Sequence, residues 1–430
     1  MPRRNLYLLF AAALFSIVCY QKVQRNHYGP VLVDVLDLIQ RRYLEPVSGA
    51  ELFEGAMEGM TSKLDDYSTY IAPGPYQEFQ ETIDQEFGGV GMEVMQDPKT
   101  KQLVVTSPLL GTPAYDAGIR AGDKILRING QPTQGMSLRE TVRQMRGKKG
   151  QAVTLTVLHE GAAKPDDLTI VRAVIHVDSV LGDTRNSDGT WNYLLAGSDR
   201  VGYLRISNFG EKTAAELGAA LKGLSQQPLR GLILDLRDNP GGLLDAAVQV
   251  CDMFIDSGVI VTTRNRGGEI RRAYSATTAG AYTKIPLAVL VNKYSASASE
   301  IVAACLQDYN RAVIVGQRTW GKGTVQEVID LEEGQGALKL TTASYWRPSG
   351  RNIHRTKDAN DSDAWGVTPN PGYQVVVEGE DLNAWIRWRR QRDLGKPGAE
   401  PAPHGQERPF VDRPLAKATQ YVEKQAGGGN

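Results

Sequence analysis

The sequence predicts a multi-domain protein of mixed α/β class. Its 430 residues are enough for roughly two to four domains. Helical periodicity gives way first to short alternating strands and then, from about residue 190, to apolar strands that alternate with helices. These observations predict an N-terminal helical module, a β-rich domain and an α/β core. The expected segments are a hydrophobic leader at 1–25, the three domains at 26–87, 88–172 and 173–380, and a basic helix with a flexible tail at 381–430.

The leader has the pattern of an export signal. Arg3 and Arg4 precede an apolar run from Leu6 to Tyr20. A helix of this length reaches about 22 Å, less than the ~30 Å hydrocarbon core, so a cleaved signal and a short anchor both remain open. The absence of a clear cleavage site favours an anchor. Because the basic residues come first, we expect the rest of the chain outside the cytoplasm, in the periplasm or cell envelope.

The composition excludes several classes of partner and cofactor site. Lysine plus arginine number 49 and aspartate plus glutamate also number 49, so the zero formal net charge gives no support for nucleic-acid binding. The three cysteines, Cys19, Cys251 and Cys305, lack the paired spacing of a zinc or redox site. We therefore expect buried structural thiols.

The helical module is predicted by an apolar face that includes Val31, Val35 and Leu38 and ends at a turn at Glu45-Pro46. A second helix is expected from Ala50 to Lys63. A third follows the proline-rich turn at residues 73–75 and ends near residue 88.

The β-rich domain contains two stretches that resemble a PDZ domain. Residues 87–94 resemble its carboxylate-binding loop, and residues 121–130 resemble its central strand and turn. Successive backbone N–H groups in a glycine-rich turn can hold a terminal carboxylate, while an exposed strand edge pairs with the peptide behind it. An ordinary hairpin turn at Gly88-Gly89 is the alternative, which the second stretch disfavours. The candidate peptide-binding residues are Gly88, Gly89, Val90, Gly91 and Met92.

In the α/β core, Ser297 stands between an apolar strand, Leu287 to Asn292, and a helix that continues to about Tyr309. A serine at a helix N-terminus lies where free N–H groups favour developing negative charge, as a nucleophile requires. Ser297-x-x-Glu300 also fits a capping box, so a plain helix cap is the alternative.

A candidate general base follows downstream at Lys322, between Gly321 and Gly323. A neutral lysine could accept the serine proton if its surroundings lowered its pKa by roughly 3 units from ~10.4, which requires about 4 kcal/mol. Gln326 could orient the lysine. Such serine–lysine pairs are a known variant of the serine triad.

Other chemistry is less well supported. None of the five histidines lies in an H-E-x-x-H pattern, although His354 could serve as the base in place of Lys322. Residues 316–322 match the opening of a phosphate-binding P-loop, but Gly323 replaces the hydroxyl residue that magnesium needs, and a strand pattern follows. Nucleotide hydrolysis is therefore disfavoured.

Four stretches together resemble the carboxy-terminal processing protease family of serine peptidases. They are residues 87–94, 235–243, 295–301 and 321–326, within a resemblance that covers about residues 30–375. It implies a protease core of the crotonase/ClpP-like α/β type. It further implies the following roles: Ser297 as nucleophile, Lys322 as general base, Gln326 as the residue that positions Lys322, and the N–H of Ala298 with that of Gly241 or Gly242 as the oxyanion hole.

The resemblance and the residues together predict a protease that acts on protein tails. The PDZ-like domain would capture a free C-terminal carboxylate, and Ser297 would cleave through an acyl-enzyme, without a metal or organic cofactor. By family analogy, Arg146 couples peptide binding to the active site. A non-catalytic PDZ adaptor at the membrane surface is the alternative, which the presence of both Ser297 and Lys322 disfavours. The sequence leaves open whether the chain forms a homo-oligomer or binds an adaptor.

Overall fold

The computed structural model describes residues 7, 10, 13–15, 28–97, 99–186, 188–198, 200–277, 282–393 and 410–427. The leader predicted at 1–25 lies almost entirely outside these residues. Within the described part, no helix combines the length and apolar character needed to cross a lipid bilayer. The chain divides into two compact units, one formed by Met1–Tyr76 and Gln326–Thr341 and the other by Gln77–Val325 and Thr342–Asn430.

The described helices and strands follow the expected change from helical to alternating segments. The helices are α1 (Tyr28–Arg42), α2 (Gly49–Thr61), α3 (Pro73–Asp84), α4 (Pro113–Asp116), α5 (Leu138–Met145), α6 (Thr213–Leu224), α7 (Leu244–Asp252), α8 (Ala298–Asp308), α9 (Gly379–Asp393) and α10 (Arg413–Gly427). The strands are β1 (Thr69–Ile71), β2 (Glu86–Gly89), β3 (Met92–Gln96), β4 (Leu103–Pro108), β5 (Lys124–Ile128), β6 (Gln131–Pro132), β7 (Ala152–Leu158), β8 (Asp166–Val171), β9 (Ala173–His176), β10 (Val180–Leu181), β11 (Thr184–Arg185), β12 (Trp191–Asn192), β13 (Val201–Ile206), β14 (Gly231–Asp235), β15 (Val259–Arg264), β16 (Ile270–Ser275), β17 (Leu287–Val291), β18 (Val313–Gly316), β19 (Thr324–Asp330) and β20 (Ala337–Trp346).

The smaller unit is not purely helical. The Ser48 hydroxyl caps α2 by accepting from the N–H of Ala50. β1, which the sequence analysis did not predict, pairs antiparallel with β20, and β19 also pairs with β20. Tyr70 is buried, and its hydroxyl donates to the carbonyl oxygen of Gln335 at 2.8 Å. A partner distant in sequence therefore completes this unit.

The β-rich domain is a sheet in the order β3-β4-β5-β7-β8, with β6 paired to β5. Alternate residues of β7, Val153, Leu155 and Val157, point into its core, as the period of two along a strand requires. β3 ends the order, so one of its edges is not paired within the sheet. An unpaired edge is the surface to which an extended peptide can add as a further strand.

The α/β core is a sheet in the order β10-β13-β14-β17-β18, parallel except for β10. Every residue of β14 and β17 is buried, because helices cover both faces of the sheet. Helices α6, α7 and α8 contribute to the cluster on one face. Residues of α10 pack on the other face, against Ile233, Ala288 and Leu290.

The C-terminal segment contains the expected basic helix, α9, but differs from the expected flexible tail over residues 413–427. After α9, the helix α10 packs Leu415, Ala418 and Val422 into the core. These apolar residues recur at intervals of three and four, which places them on one face of the helix. The segment 413–427 is therefore part of the core and not a loose tail.

Candidate active site

Ser297 occupies a strained position at the start of α8. Its φ of 57° and ψ of −114° lie in a region that residues other than glycine rarely adopt. Its side chain is hydrogen-bonded to Tyr345, whose pKa burial raises to about 12. Ser297 and Tyr345 are both almost fully buried. Nothing in the sequence pattern pointed to Tyr345, because β20 is distant along the chain.

Glu300 connects the serine to the lysine turn. Its Oε2 accepts from the N–H of Ser297 and from the N–H of Lys322, each at 2.8 Å. Its Oε1 accepts from Thr319 Oγ1 at 2.5 Å and from the N–H of Gly321 at 2.7 Å. Burial raises the pKa of this fully buried carboxyl, and the four donated hydrogen bonds oppose that rise. Glu300 therefore caps the helix and also binds the lysine turn, and the capping-box alternative predicts only the first of these contacts.

Lys322 lies in a turn that only glycine neighbours permit. A Cβ at Gly321 would lie 2.7 Å from Arg355 Cβ, and one at Gly323 would lie 2.3 Å from the backbone nitrogen of His354. The N–H of Trp320 donates to the carbonyl of Ser295 at 3.0 Å. Lys322 itself is half-buried. The lysine and serine loops follow the neighbouring parallel strands β18 and β17, whose carboxyl ends lie at the same edge of the sheet.

The turn at residues 237–242 follows β14 and contacts the serine loop. A Cβ at Gly241 would lie 2.8 Å from Ser297 Cβ. The N–H of Gly241 donates to Asn239 Oδ1 at 2.8 Å, so this donor is already engaged. No described residue accepts from the N–H of Gly242 or that of Ala298. Of the predicted oxyanion donors, the N–H groups of Gly242 and Ala298 are thus the ones with no acceptor among the described residues.

The predicted carboxylate loop is divided between a strand and a turn. Gly88 and Gly89 belong to β2, where they pair with β9, and the turn covers Val90 and Gly91 before Met92 begins β3. The Val90 side chain is buried in the domain core, so only its backbone can face a peptide.

Arg146 immediately follows α5, as the residue at its C-terminal cap. Its Nη1 lies 2.7 Å from Glu81 Oε2, and its guanidinium stacks on Phe87 at 4.6 Å from the ring centroid. The N–H of Gly147 donates to the carbonyl of Gly88 at 3.1 Å. These contacts place Arg146 next to β2, the strand that contains the first residues of the predicted carboxylate loop.

Two other predicted residues lie on β19 and beside the lysine turn. Gln326 is half-buried on β19, and its Nε2 donates to Thr341 Oγ1 at 3.1 Å. The backbone of His354 packs against Gly323, and its N–H donates to Asn352 Oδ1 at 2.7 Å.

The described cysteines, and the one described group of residues with metal-ligand spacing, have structural roles. Cys251 and Cys305 are fully buried, as predicted, and burial raises the pKa of the Cys251 thiol. One group of the described residues, His176, Asp178 and Glu216, has the spacing of metal ligands. The Glu216 carboxylate already accepts hydrogen bonds from neighbouring backbone and side-chain donors, which supports a structural role.

Comparison with known proteins gives three matches to protein families. Peptidase family S41 matches residues 200–370, the PDZ domain matches residues 80–158, and the N-terminal domain of the activating protease CtpB matches residues 22–73. The predicted architecture of an N-terminal domain, a PDZ domain and an α/β protease core is confirmed.

Relatives are similar over most of the chain. The carboxy-terminal-processing protease of Bartonella bacilliformis is 38% identical over 381 residues, which cover 85% of this chain and 82% of the relative. The carboxyl-terminal-processing protease of Synechocystis is 37% identical, over 74% of this chain and 72% of the relative. The solved structure of the photosystem II D1 C-terminal processing protease is 29% identical, with a TM-score of 0.44, over 85% of this chain and 98% of that one. From the two sequence relatives it follows that this chain belongs to the carboxy-terminal processing protease family.

Proposed function

We propose that this protease is a serine endopeptidase that recognises the free C-terminal tail of protein substrates through its PDZ domain and cleaves them with a Ser297–Lys322 dyad. The observation that carries the proposal is the Glu300 carboxylate, because one of its oxygens accepts from the N–H groups of both dyad residues at 2.8 Å. A residue that only caps the helix would need the bond from the N–H of Ser297 but not the bond from the N–H of Lys322. The strained backbone of Ser297 further favours the enzyme over the adaptor alternative.

The reaction begins when the neutral amine of Lys322 takes the proton from Ser297 Oγ. The oxygen attacks the scissile carbonyl carbon, and the carbonyl oxygen becomes negative. When the tetrahedral intermediate collapses, the Lys322 ammonium gives its proton to the leaving amine, and an acyl-enzyme remains. Lys322 then takes a proton from water, whose oxygen attacks the ester carbonyl carbon. The bond from that carbon to Ser297 Oγ breaks, Lys322 returns the proton to Oγ, and the new carboxyl end is released. Gln326 serves to position Lys322.

The oxyanion hole is formed by the N–H groups of Ala298 and Gly242. Gly241 is the less suitable of the two glycines because its N–H already donates to Asn239 Oδ1. Ala298 is the first residue of α8, where the helix dipole favours negative charge. A single donor of this kind typically lowers the barrier by about 3–4 kcal/mol.

The substrate tail adds to the open edge of β3 as an extended strand. Its carboxylate then lies at the backbone N–H groups of Val90, Gly91 and Met92, the part of the predicted loop that forms the turn into β3. Gly88 and Gly89 support this turn from β2.

Tail amidation provides the test of this proposal. A peptide with a free C-terminal carboxylate is expected to be cleaved with a kcat/KM at least about tenfold higher than its C-terminal amide, because the amide loses charge-assisted hydrogen bonds. Mass spectrometry of the products gives both rates. Equal rates for the two peptides would contradict tail recognition. Binding of the free tail without any cleavage would support the adaptor instead.

Substitution of Arg146 is expected to reduce this discrimination. In Arg146→Ala the ratio of kcat/KM for free and amidated tails should fall about fivefold or more, a typical energy of coupling between sites. The reason is the loss of the contacts with Glu81 and Phe87 beside the carboxylate loop. Arg139→Ala is the matched control, since its ion pair with Glu78 is exposed. An unchanged ratio in Arg146→Ala would remove the coupling role.

We also propose that the chain acts outside the cytoplasm, in the periplasm or cell envelope. The support is the order of charge and hydrophobicity in the leader, where Arg3 and Arg4 precede the apolar run. Fractionation of cells that express the full chain tests this location. Recovery of the full chain from the cytoplasm alone would contradict it.

A further inference from the structure

A buried carboxylate of the C-terminal segment lies behind the proposed oxyanion turn. Asp412 precedes α10, and its Oδ1 accepts from the N–H of Leu415 at 3.1 Å, as the cap of a helix does. The residue is 6% exposed. Its oxygens also accept from Arg237, at 3.0 Å from Nη1 to Oδ1 and at 2.9 Å from Nη2 to Oδ2.

Arg237 is held by carboxylates along two edges of its guanidinium. One of these carboxylates is Asp412, and the other is Asp235, the last residue of β14. Asp235 accepts from Nε and from Nη2, the latter at 2.6 Å. The Trp385 ring lies 4.9 Å from the guanidinium, and its Nε1 donates to Asp412 Oδ2 at 3.2 Å. Residues of α9 and of the segment before α10 thus contact an arginine that lies two residues after the end of β14.

This arginine begins the turn that presents the proposed oxyanion donor. The next residue, Asp238, has a φ of 58°, and Gly242 has a φ of 144°. The carbonyl of Asn239 accepts from the N–H of Ala296 and from Ser299 Oγ, each at 3.0 Å, which joins the turn to the serine loop. Glycine adopts a positive φ without strain, but the left-handed backbone of Asp238 costs free energy and persists where the surroundings hold it. The contacts that hold Arg237 therefore help to fix the direction of the Gly242 N–H.

We propose that Asp412 is a positioning residue for peptide cleavage, which holds Arg237 and through it the turn at residues 237–242. The proposal rests on the oxyanion role assigned to this turn above. Without the Asp412 carboxylate, one edge of a buried guanidinium loses its acceptors, and such a group shifts towards other partners. The C-terminal segment thereby becomes a component of the active site.

The variant Asp412→Asn tests the proposal because asparagine caps a helix as well as aspartate does. It retains one acceptor oxygen and loses the charge. The expected result is a kcat about tenfold lower, less than the roughly hundredfold loss on removal of an oxyanion donor, with KM within about twofold. Trp385→Phe, which removes the hydrogen bond to Asp412 and keeps a smaller aromatic ring beside Arg237, is expected to reduce kcat about threefold.

A double-mutant cycle separates positioning from a general effect on the fold. In an Arg237→Met background, Asp412→Asn should reduce kcat no further, because the two residues act through one contact. Additive losses would overturn the proposal. Val422→Ala is the control: it removes packing of α10 on the sheet and should lower the melting temperature while kcat stays unchanged.

The outcomes also separate this inference from the proposed function. A wild-type kcat in both Asp412→Asn and Trp385→Phe, with Ser297→Ala inactive, would overturn the positioning role and leave the protease mechanism intact. If the unaltered chain cleaves no tailed substrate, both proposals are overturned.

Discussion

Cleavage of a tailed protein is expected to disappear in both Ser297→Ala and Lys322→Ala. The first variant lacks the attacking oxygen, and the second lacks the group that takes its proton. Removal of a nucleophile or base typically lowers kcat by about 10⁴-fold or more, and the remaining rate comes from the oxyanion hole and substrate binding. The measurement is mass spectrometry of a loosely folded substrate with a free C-terminus, together with binding of a tail peptide, which both variants should retain.

Two further lysine variants show whether Lys322 acts as a base. Lys322→Arg keeps the positive charge but cannot give up a proton, so it should be as inactive as Lys322→Ala. Lys293→Ala is the matched control, because the Lys293 side chain is 45% exposed and its described contacts are with the exposed Glu378 and the Tyr294 ring. Activity in Lys322→Arg would contradict the dyad. Loss of that activity on His354→Ala would then identify the alternative base.

The parts of the fold that local pattern controls were predictable from the sequence. Strands β14 and β17 are continuous apolar runs because both faces of the sheet are covered, and such runs are recognisable without a structure. The regular alternation of β7 likewise matches a sheet with one buried face. Close contacts require glycine on both sides of Lys322, so the glycines in the sequence identified this turn.

Features that depend on distant partners were not predictable. β1 is a strand of three residues that pairs with β20, and its own sequence carries too few positions for a periodicity. The C-terminal helix α10 has a narrow apolar face, and a stretch rich in proline and glycine precedes it in the sequence. The sequence pattern therefore favoured a tail over a core helix. Tyr345 and Asp412 reach the site from segments that no motif connects to Ser297.

The site shows the same division between local and distant information. The Lys322 turn was found from its flanking glycines, and Ser297 was found from its position between a strand and a helix. The sequence analysis noted Glu300 only as a cap, since a second bond to a turn 22 residues away leaves no local pattern. The roles of Gln326 and Arg146 stay predictions.

Glu300→Gln is expected to reduce kcat about hundredfold while KM changes little, because a displacement of catalytic groups by about 1 Å can cost that much. A glutamine can place an oxygen at only one of the two carboxylate positions, and its NH₂ group then faces donors at the other. If the NH₂ replaces Oε2, it opposes the N–H groups of Ser297 and Lys322. If it replaces Oε1, the Thr319 hydroxyl can rotate but the N–H of Gly321 cannot, so a buried donor loses its acceptor in either orientation.

Stability is the less informative measurement for this variant. Burial raises the pKa of Glu300, so its contribution to folding is greatest below the unfolded value of 4.5 and is lost as the pH rises through the folded-state pKa. Glutamine removes that pH dependence and also loses hydrogen bonds, two effects of opposite sign at neutral pH. The split between kcat and KM is therefore decisive, with Glu378→Gln, the same change at an exposed ion pair, as the control. A wild-type kcat in Glu300→Gln would show that the shared carboxylate does not position the dyad, and would remove the observation on which the mechanism rests.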